Sequence, residues 1–350
     1  MEWGRQLDRH SDTQRRKDEH IEICLREDVS GLAAGAGFDR FRFRHNALPE
    51  TAFAAIDTGA SFLGRPLKAP LLVSSMTGGT PEAGRINRRL AAAAQRRGWA
   101  MGLGSARAAL EDPSSADSFR VRDAAPDIPL LANLGAVQLN LGYGPDECRR
   151  MMELTEADGL VLHLNGLQEV FQPEGDTDFS GLLDRIAALC ARLERPVGVK
   201  EVGWGIDGET ARKLFEAGVA FVDVAGAGGT SWSEVEKRRS RDETRRSAAD
   251  AFREWGIPTA DCIREARAAA PEGTIVGSGG LRDGVDAAKA IALGADLAAF
   301  GRMLLTAAAE SEARAEAEFA RIEYELRAAM FGIGAADLRA LRRTNRLVRL

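Results

Sequence analysis

PLLVSSMTGG, residues 70–79, is a short apolar run that breaks off into Ser, Thr and Gly. The form returns in WAMGLGSA (99–106), PLLANLGAV (129–137) and GLVLHLNGL (159–167). It returns again in PVGVKEVG (196–203), FVDVAGAGG (221–229), TIVGSGGL (274–281) and LAAFGRMLL (297–305). Each has the length and composition of a buried strand followed by a turn. Helical periodicity fills the intervals, as in EAGRINRRLAAAAQRRG, DFSGLLDRIAALCARLE, ETARKLFEAG and DGVDAAKAIALG. Gly98, Gly218 and Gly294 stop a helix just before the next strand. Most strand starts fall roughly 23 to 37 residues apart, the spacing of successive βα units. Eight such units predict an α/β protein, a (β/α)8 TIM barrel, since doubly wound sheets more often stop at five or six strands.

The barrel accounts for residues 70–350, with C-terminal helices at its end. Residues 1–69 form an N-terminal arm and extension expected to pack on it, with a helix over RRKDEHIEICLRE and an extended stretch at FRFRHNALP. One interval is too long. TSWSEVEKRRSRDETRRSAADAFREWG, in the loop 230–256 after strand six, is highly charged and reads as a surface decoration or a lid. Over 350 residues, 45% hydrophobic and 28% charged is a globular balance. A net charge of -5 argues against nucleic acid as a partner. No run of 18 apolar residues predicts a membrane span, and the first twenty residues hold no signal-peptide core. Cys24, Cys148, Cys190 and Cys262 have no metal or CxxC spacing and read as reduced thiols in a cytoplasmic protein.

In this fold the site lies at the C-terminal ends of the strands. Those ends supply Ser75, Met76, Thr77, Ser105, Arg107, Asn133, His163, Asn165, Lys200, Thr230, Ser278, Gly279, Gly280, Gly301 and Arg302. Glycine turns after strands seven and eight, each opening a helix, suit a phosphate. Lys200 stands alone in an apolar strand; it pairs with a carboxylate such as Asp223 or stabilises negative charge on a ligand. VLHLNGLQEVF (161–171) sets His163, Asn165, Gln168 and Glu169 at the end of a buried run. Such groups need partners, protein or ligand. Glu169 could act as acid/base or hold a hard cation, or it could face solvent on a helix. RRKDEH (15–20) reads as a solvated basic helix or as an arm whose Arg16, Lys17 and His20 grip a diphosphate at the barrel mouth.

RRKDEHIE, SSMTGGT, LGSARA, LLANLGAVQL, HLNGLQEVFQPEGDTDF, VKEVGWGI, DVAGAGGTSW, FREWGIPT, SGGLRDGVDAAKAIALGAD and FGIGAADLRAL together resemble the type 2 isopentenyl diphosphate isomerases, in order along nearly the whole chain. HLNxxQE followed by GDTDF is the most specific part. The resemblance implies an FMN enzyme that interconverts isopentenyl and dimethylallyl diphosphate without net redox, with NADPH as reductant and Mg2+ as metal. It implies that Ser75, Met76, Thr77, Ser105, Asn133, Lys200, Thr230, Ser278, Gly279, Gly280, Gly301 and Arg302 surround FMN. Arg16, Lys17, His20, Ser105, Arg107, His163, Asn165 and Gln168 would contact substrate, and Glu169 would hold Mg2+. Gln168, His163 and Lys200 would be the catalytic groups. The assembly would be a homo-oligomer, a tetramer or octamer. The chain departs at Gly166, where the family often has Pro, and at Ala106, where it often has Gln or Gly. The alternatives are another FMN barrel oxidoreductase or a non-catalytic flavin- or phosphate-binding barrel. No His follows His163, and the loop after strand six has no Cys. These facts count against the hydroxy-acid oxidase and nucleotide-dehydrogenase types.

Overall fold

A computed structural model describes residues 15–31 and 35–350. Eight parallel strands close into one barrel. They are β1 (Leu71–Val73), β2 (Ala100–Gly102), β3 (Leu130–Gly135) and β4 (Gly159–Leu164). β5 (Val197–Glu201), β6 (Phe221–Asp223), β7 (Thr274–Gly277) and β8 (Leu297–Phe300) complete it. The eight apolar runs thus become the eight barrel strands in order, with β8 paired back onto β1. The helix after β1 is capped at both ends, its C-terminal stop being Gly98, as the sequence predicts. Thr80 accepts from Ala83 N–H ahead of Pro81–Arg97, and Gly98 closes that helix at φ 65°.

Strand periodicity divides the hydrophobic residues into two cores. Alternate positions, such as Leu130, Ala132, Leu160, Leu162 and Val199, face the surrounding helices. Their neighbours Leu72, Ala100, Leu131, Val161, Phe221, Val276, Leu297 and Ala299 form a separate interior core. Space there is tight: a Cβ on Gly198 would lie 2.1 Å from the Phe221 ring. A hairpin of Ala60–Phe62 and Arg65–Leu67 seals the floor. Phe62 meets the Phe221 ring edge-on at 5.0 Å.

Two residues further along several strands the inward positions turn polar. Asn133 follows Leu131, His163 follows Val161, Lys200 follows Gly198 and Asp223 follows Phe221. The register sets His163 beside Lys200 and Lys200 beside Asp223.

The mouth is covered from above. Residues 15–26 are helical. Their C-terminal continuation pairs with the loop after β6, through a Ser30–Thr230 bridge and Ser231 N–H donating to Val29 O at 2.8 Å. The charged insertion forms helices Trp232–Arg239 and Glu243–Asp250. Arg239 bonds Glu19 at 3.0 Å, and Arg238 bonds Glu27 and the Asp28 carbonyl. Of the two sequence readings, a cover fits the helix Trp232–Arg239 better, since Ser233 to Glu236 are all buried. The extended stretch near FRFR is the short strand Phe41–Phe43, antiparallel to Leu347–Arg349.

Phe62→Ala should cost about 3–5 kcal/mol, the usual penalty for emptying a large aromatic site. The expected readout is a lower denaturant midpoint, and an unchanged midpoint would show that the hairpin does not seal the barrel.

Candidate active site

One cavity of about 580 Å³ opens at the C-terminal ends of the strands, and every site residue singled out from the sequence lines it. Its walls come from all eight strand ends together with the N-terminal helix and the inserted helix Trp232–Arg239.

One end is a glycine cradle. Gly279 and Gly280 have φ of 104° and 73°, a region that favours glycine. A Cβ on Gly280 would lie 2.3 Å from the Gly228 carbonyl oxygen, so the β6 and β7 loops touch backbone to backbone. Thr259 Oγ1 fixes the turn by donating to the Ser278 and Gly279 carbonyls. The helix Arg302–Glu310 starts here. Arg302 donates to Ser30 Oγ at 2.9 Å and has no carboxylate partner among the described residues. Free helix N–H groups, glycines and a guanidinium without a carboxylate ion-pair partner among the described residues are the chemistry an anion site needs.

The other end gathers cations. Lys17 Nζ donates to the Ser105 carbonyl at 3.0 Å and lies 5.2 Å from the centre of the Phe119 ring. Burial lowers its pKa to about 7, with Arg16 and Arg107 pushing the same way. Burial also lowers Arg16, which has no ion-pair partner among the described residues. Arg107 lies 3.3 Å from Glu111 and 3.7 Å from Asp176. Three cations clustered under a partial cover create a positive local field of the kind that suits a multiply charged anion.

Between the ends lie the amides and histidines. His163 Nδ1 bonds Asn133 Oδ1 at 2.8 Å, so Nδ1 carries the proton and Nε2 keeps its lone pair. Burial, with Lys200 and Arg107 nearby, depresses the imidazole to about 3, so it is neutral at neutral pH. Asn165 Nδ2 donates to Glu169 Oε1 at 2.6 Å, and Asp176 N–H donates to Glu169 Oε2 at 2.7 Å. Burial raises the Glu169 carboxyl above its ordinary range. Asn165 is 3% exposed, yet its Oδ1 has no protein partner. A buried acceptor left open in a polar cavity awaits a ligand or a water.

Lys200 does not pair with Asp223. Its Nζ donates to the Glu201 carbonyl at 2.5 Å, while Asp223 Oδ1 accepts from Ser278 Oγ at 2.6 Å. Burial raises the Asp223 carboxyl and the nearby Lys200 charge partly offsets this, so the two groups attract each other without a direct ion pair. Glu201 turns back into the backbone, where Oε2 accepts from the N–H groups of Val202, Gly203 and Trp204.

Sequence reasoning missed Glu236. It is fully buried, and its Oε1 takes His20 Nε2 at 2.9 Å and Gln168 Nε2 at 3.0 Å. Its Oε2 takes Arg239 at 2.6 Å. Burial pushes its carboxyl up, but the His20 bond, Arg239 and Gln168 outweigh this and hold it at about 2. The only local hint was Trp232 one helical turn earlier, in a segment otherwise indistinguishable from a solvated charged helix.

Residues 149–348 match the family signature described as FMN-dependent dehydrogenase. The isopentenyl-diphosphate delta-isomerase of Oceanobacillus iheyensis is 53% identical over 332 residues, covering 95% of both chains. That of Nostoc sp. is 52% identical over 338 residues, covering 97% of both. That of Stutzerimonas stutzeri is 49% identical over 333 residues, covering 95% of this chain and 96% of the other. Among solved structures, a mandelate oxidase variant with an FMN adduct superimposes with TM-score 0.62 at 20% identity, covering 91% of both chains. A mandelate oxidase with a difluoro hydroxy acid has TM-score 0.62 at 19% identity, over 97% of this chain and 98% of that one. These structures share the fold.

Glu236→Ala removes the one carboxylate common to His20, Gln168 and Arg239. Amide exchange in residues 15–26 should accelerate while the barrel strands keep their protection. Breaking a buried, hydrogen-bonded charge typically costs about 3–5 kcal/mol. Unchanged exchange in the arm would mean that its other contacts suffice.

Proposed function

Because this chain belongs to the isopentenyl-diphosphate delta-isomerases of the FMN-dependent dehydrogenase family, we propose that it converts isopentenyl diphosphate to dimethylallyl diphosphate with no net redox. The observation that carries the reading is a single cavity with a glycine turn and Arg302 at one end and the cations Arg16, Lys17 and Arg107 at the other. The glycine cradle with Arg302 suits the FMN phosphate, and the Arg16–Lys17–Arg107 cluster suits a diphosphate.

The residues fit FMN. The Gly279–Gly280 turn, packed backbone to backbone against Gly226 and Gly228, opens on the cavity, and Arg302 supplies a charge with no carboxylate ion-pair partner among the described residues. Ser75, Met76, Thr77, Ser105, Asn133, Lys200, Thr230, Ser278 and Gly301 would line the remaining flavin surface. When bound and reduced, the flavin would supply an acid/base surface against the five-carbon chain. Lys200, buried at 8% exposure, stabilises negative charge beside it.

The chain's own residues then hold and orient the substrate. Arg16, Lys17, His20 and Arg107 engage the diphosphate. His163 is neutral and offers the Nε2 lone pair as an acceptor. Gln168 is an amide with no useful pKa, so its part is orientation. Glu236 fixes its Nε2, and Asn165 Nδ2 approaches its Oε1 at 3.4 Å. The N-terminal helix keeps water off the allylic carbons. The oxygen donors Glu169 and Asn165 Oδ1 suit Mg2+ bound together with the diphosphate. We further assign NADPH as a transient reductant, since the sequence has no resident dinucleotide motif. Homo-oligomeric assembly and a cytoplasmic location extend from the family. Among the described residues no helix is long and apolar enough to cross a membrane.

The deciding experiment incubates FMN-loaded protein with isopentenyl diphosphate, with and without reductant, and follows the products by NMR. Dimethylallyl diphosphate formed only after reduction supports the reading. Oxygen uptake without isomer would favour a barrel oxidase. Arg16→Ala should leave FMN content intact and lower kcat/KM by about one to two decades, from a charge-assisted hydrogen bond of about 1.5–3 kcal/mol. The sign of the pH dependence follows from Lys17. Its pKa of about 7 in the free site means charged below and neutral above. A diphosphate binds the charged form, so kcat/KM should fall as pH rises through 7. Burial sets that value first, with Arg16 and Arg107 lowering it further and Glu111 opposing them, and Lys17→Arg should flatten the profile between pH 7 and 9.

A further inference from the structure

Asp176 has no role in the reading above, yet it touches both halves of the substrate end. Its backbone N–H donates to Glu169 Oε2 at 2.7 Å. Its carboxylate accepts from Gln138 Nε2 at 3.4 Å and lies 3.7 Å from Arg107. Its side chain is 36% exposed and lines the cavity. Two carboxylates therefore border a region whose other charges are suited to a diphosphate. Left alone, they would repel that anion. A divalent cation between them and the phosphate oxygens removes the conflict.

An independent observation points the same way. Asn165 is 3% exposed, and its Oδ1 has no partner although its Nδ2 is bonded to Glu169. A carboxamide oxygen of this kind is a hard-cation donor. Among the described residues no cluster of three or more His, Cys, Asp or Glu could hold a metal by itself. The site has two carboxylates and one amide oxygen, which suits an ion whose shell is finished by substrate and water.

We propose that Asp176 supplies a second carboxylate to the divalent-cation site, acting with Glu169 and the Asn165 side-chain oxygen, and that it draws Arg107 toward the same phosphate. This rests on the Mg2+ reading of Glu169.

The test measures Mn2+ binding to the FMN-loaded enzyme by electron paramagnetic resonance, with inorganic diphosphate present in place of substrate. Wild type, Asp176→Asn, Asp176→Glu and Glu169→Gln are compared. Even residues that only orient metal ligands typically contribute 10- to 100-fold in affinity, so a carboxylate donor should contribute at least as much. Asp176→Asn should weaken Mn2+ binding about tenfold or more at unchanged FMN content, and Asp176→Glu should restore most of it. If Glu169→Gln loses Mn2+ while Asp176→Asn stays within about twofold of wild type, the proposal falls and the Mg2+ reading stands. If neither substitution changes Mn2+ binding, the Mg2+ reading itself falls.

Discussion

The period of two along a β-strand governs this molecule. Eight strands closed into a barrel must send every second side chain inward. The lower inward positions hold a dry core around Phe221 and Phe62. The next inward positions then have nowhere to go but the mouth. Asn133, His163 and Lys200 therefore become neighbours although they lie on different strands. The core below does more than stabilise. It is the rigid floor that holds polar groups of high desolvation cost in fixed relation to one another.

Much of this was legible because it is periodic or local. The eight apolar runs, the glycine stops and the strand-end residues follow from spacing, and all fall where the barrel needs them. Arg16 and Lys17 could be read as cations, but their destination could not, since a basic helix looks the same on a surface or over a mouth. Glu236 was illegible for a related reason. Its burial depends on His20 and Gln168, which lie 216 and 68 positions away. The pairing of Phe41–Phe43 with Leu347–Arg349 depends on a still longer closure. Lys200 shows the opposite difficulty. A neighbouring Asp made an ion pair plausible, but Lys200 Nζ turns instead to the Glu201 carbonyl and meets Asp223 only through the field.

The cavity divides its charges by function. Glu236 is compensated three ways and stays ionised as a structural anchor. Arg16, Lys17 and Arg302 are left without carboxylate partners among the described residues. Burial pushes Arg16 and Lys17 toward their neutral forms, and Glu174, Glu169 and Glu111 offset this only in part. On the proposed function, a bound anion would offset it further, so part of the binding affinity would come from a cost already built into the folded chain.

The clasp between His20 and Glu236 has a bearing on biosynthesis. A ribosome makes the basic helix 216 positions before the acid that receives it. Throughout that interval the helix must remain unbound and soluble, which its Arg, Lys, Asp and Glu content permits. Entropy scarcely penalises the distance, because each doubling of a loop adds only about 0.6 kcal/mol. Competence for chemistry therefore arrives late and all at once. A nascent chain stopped before Glu236 can hold folded βα units but cannot fasten its own mouth.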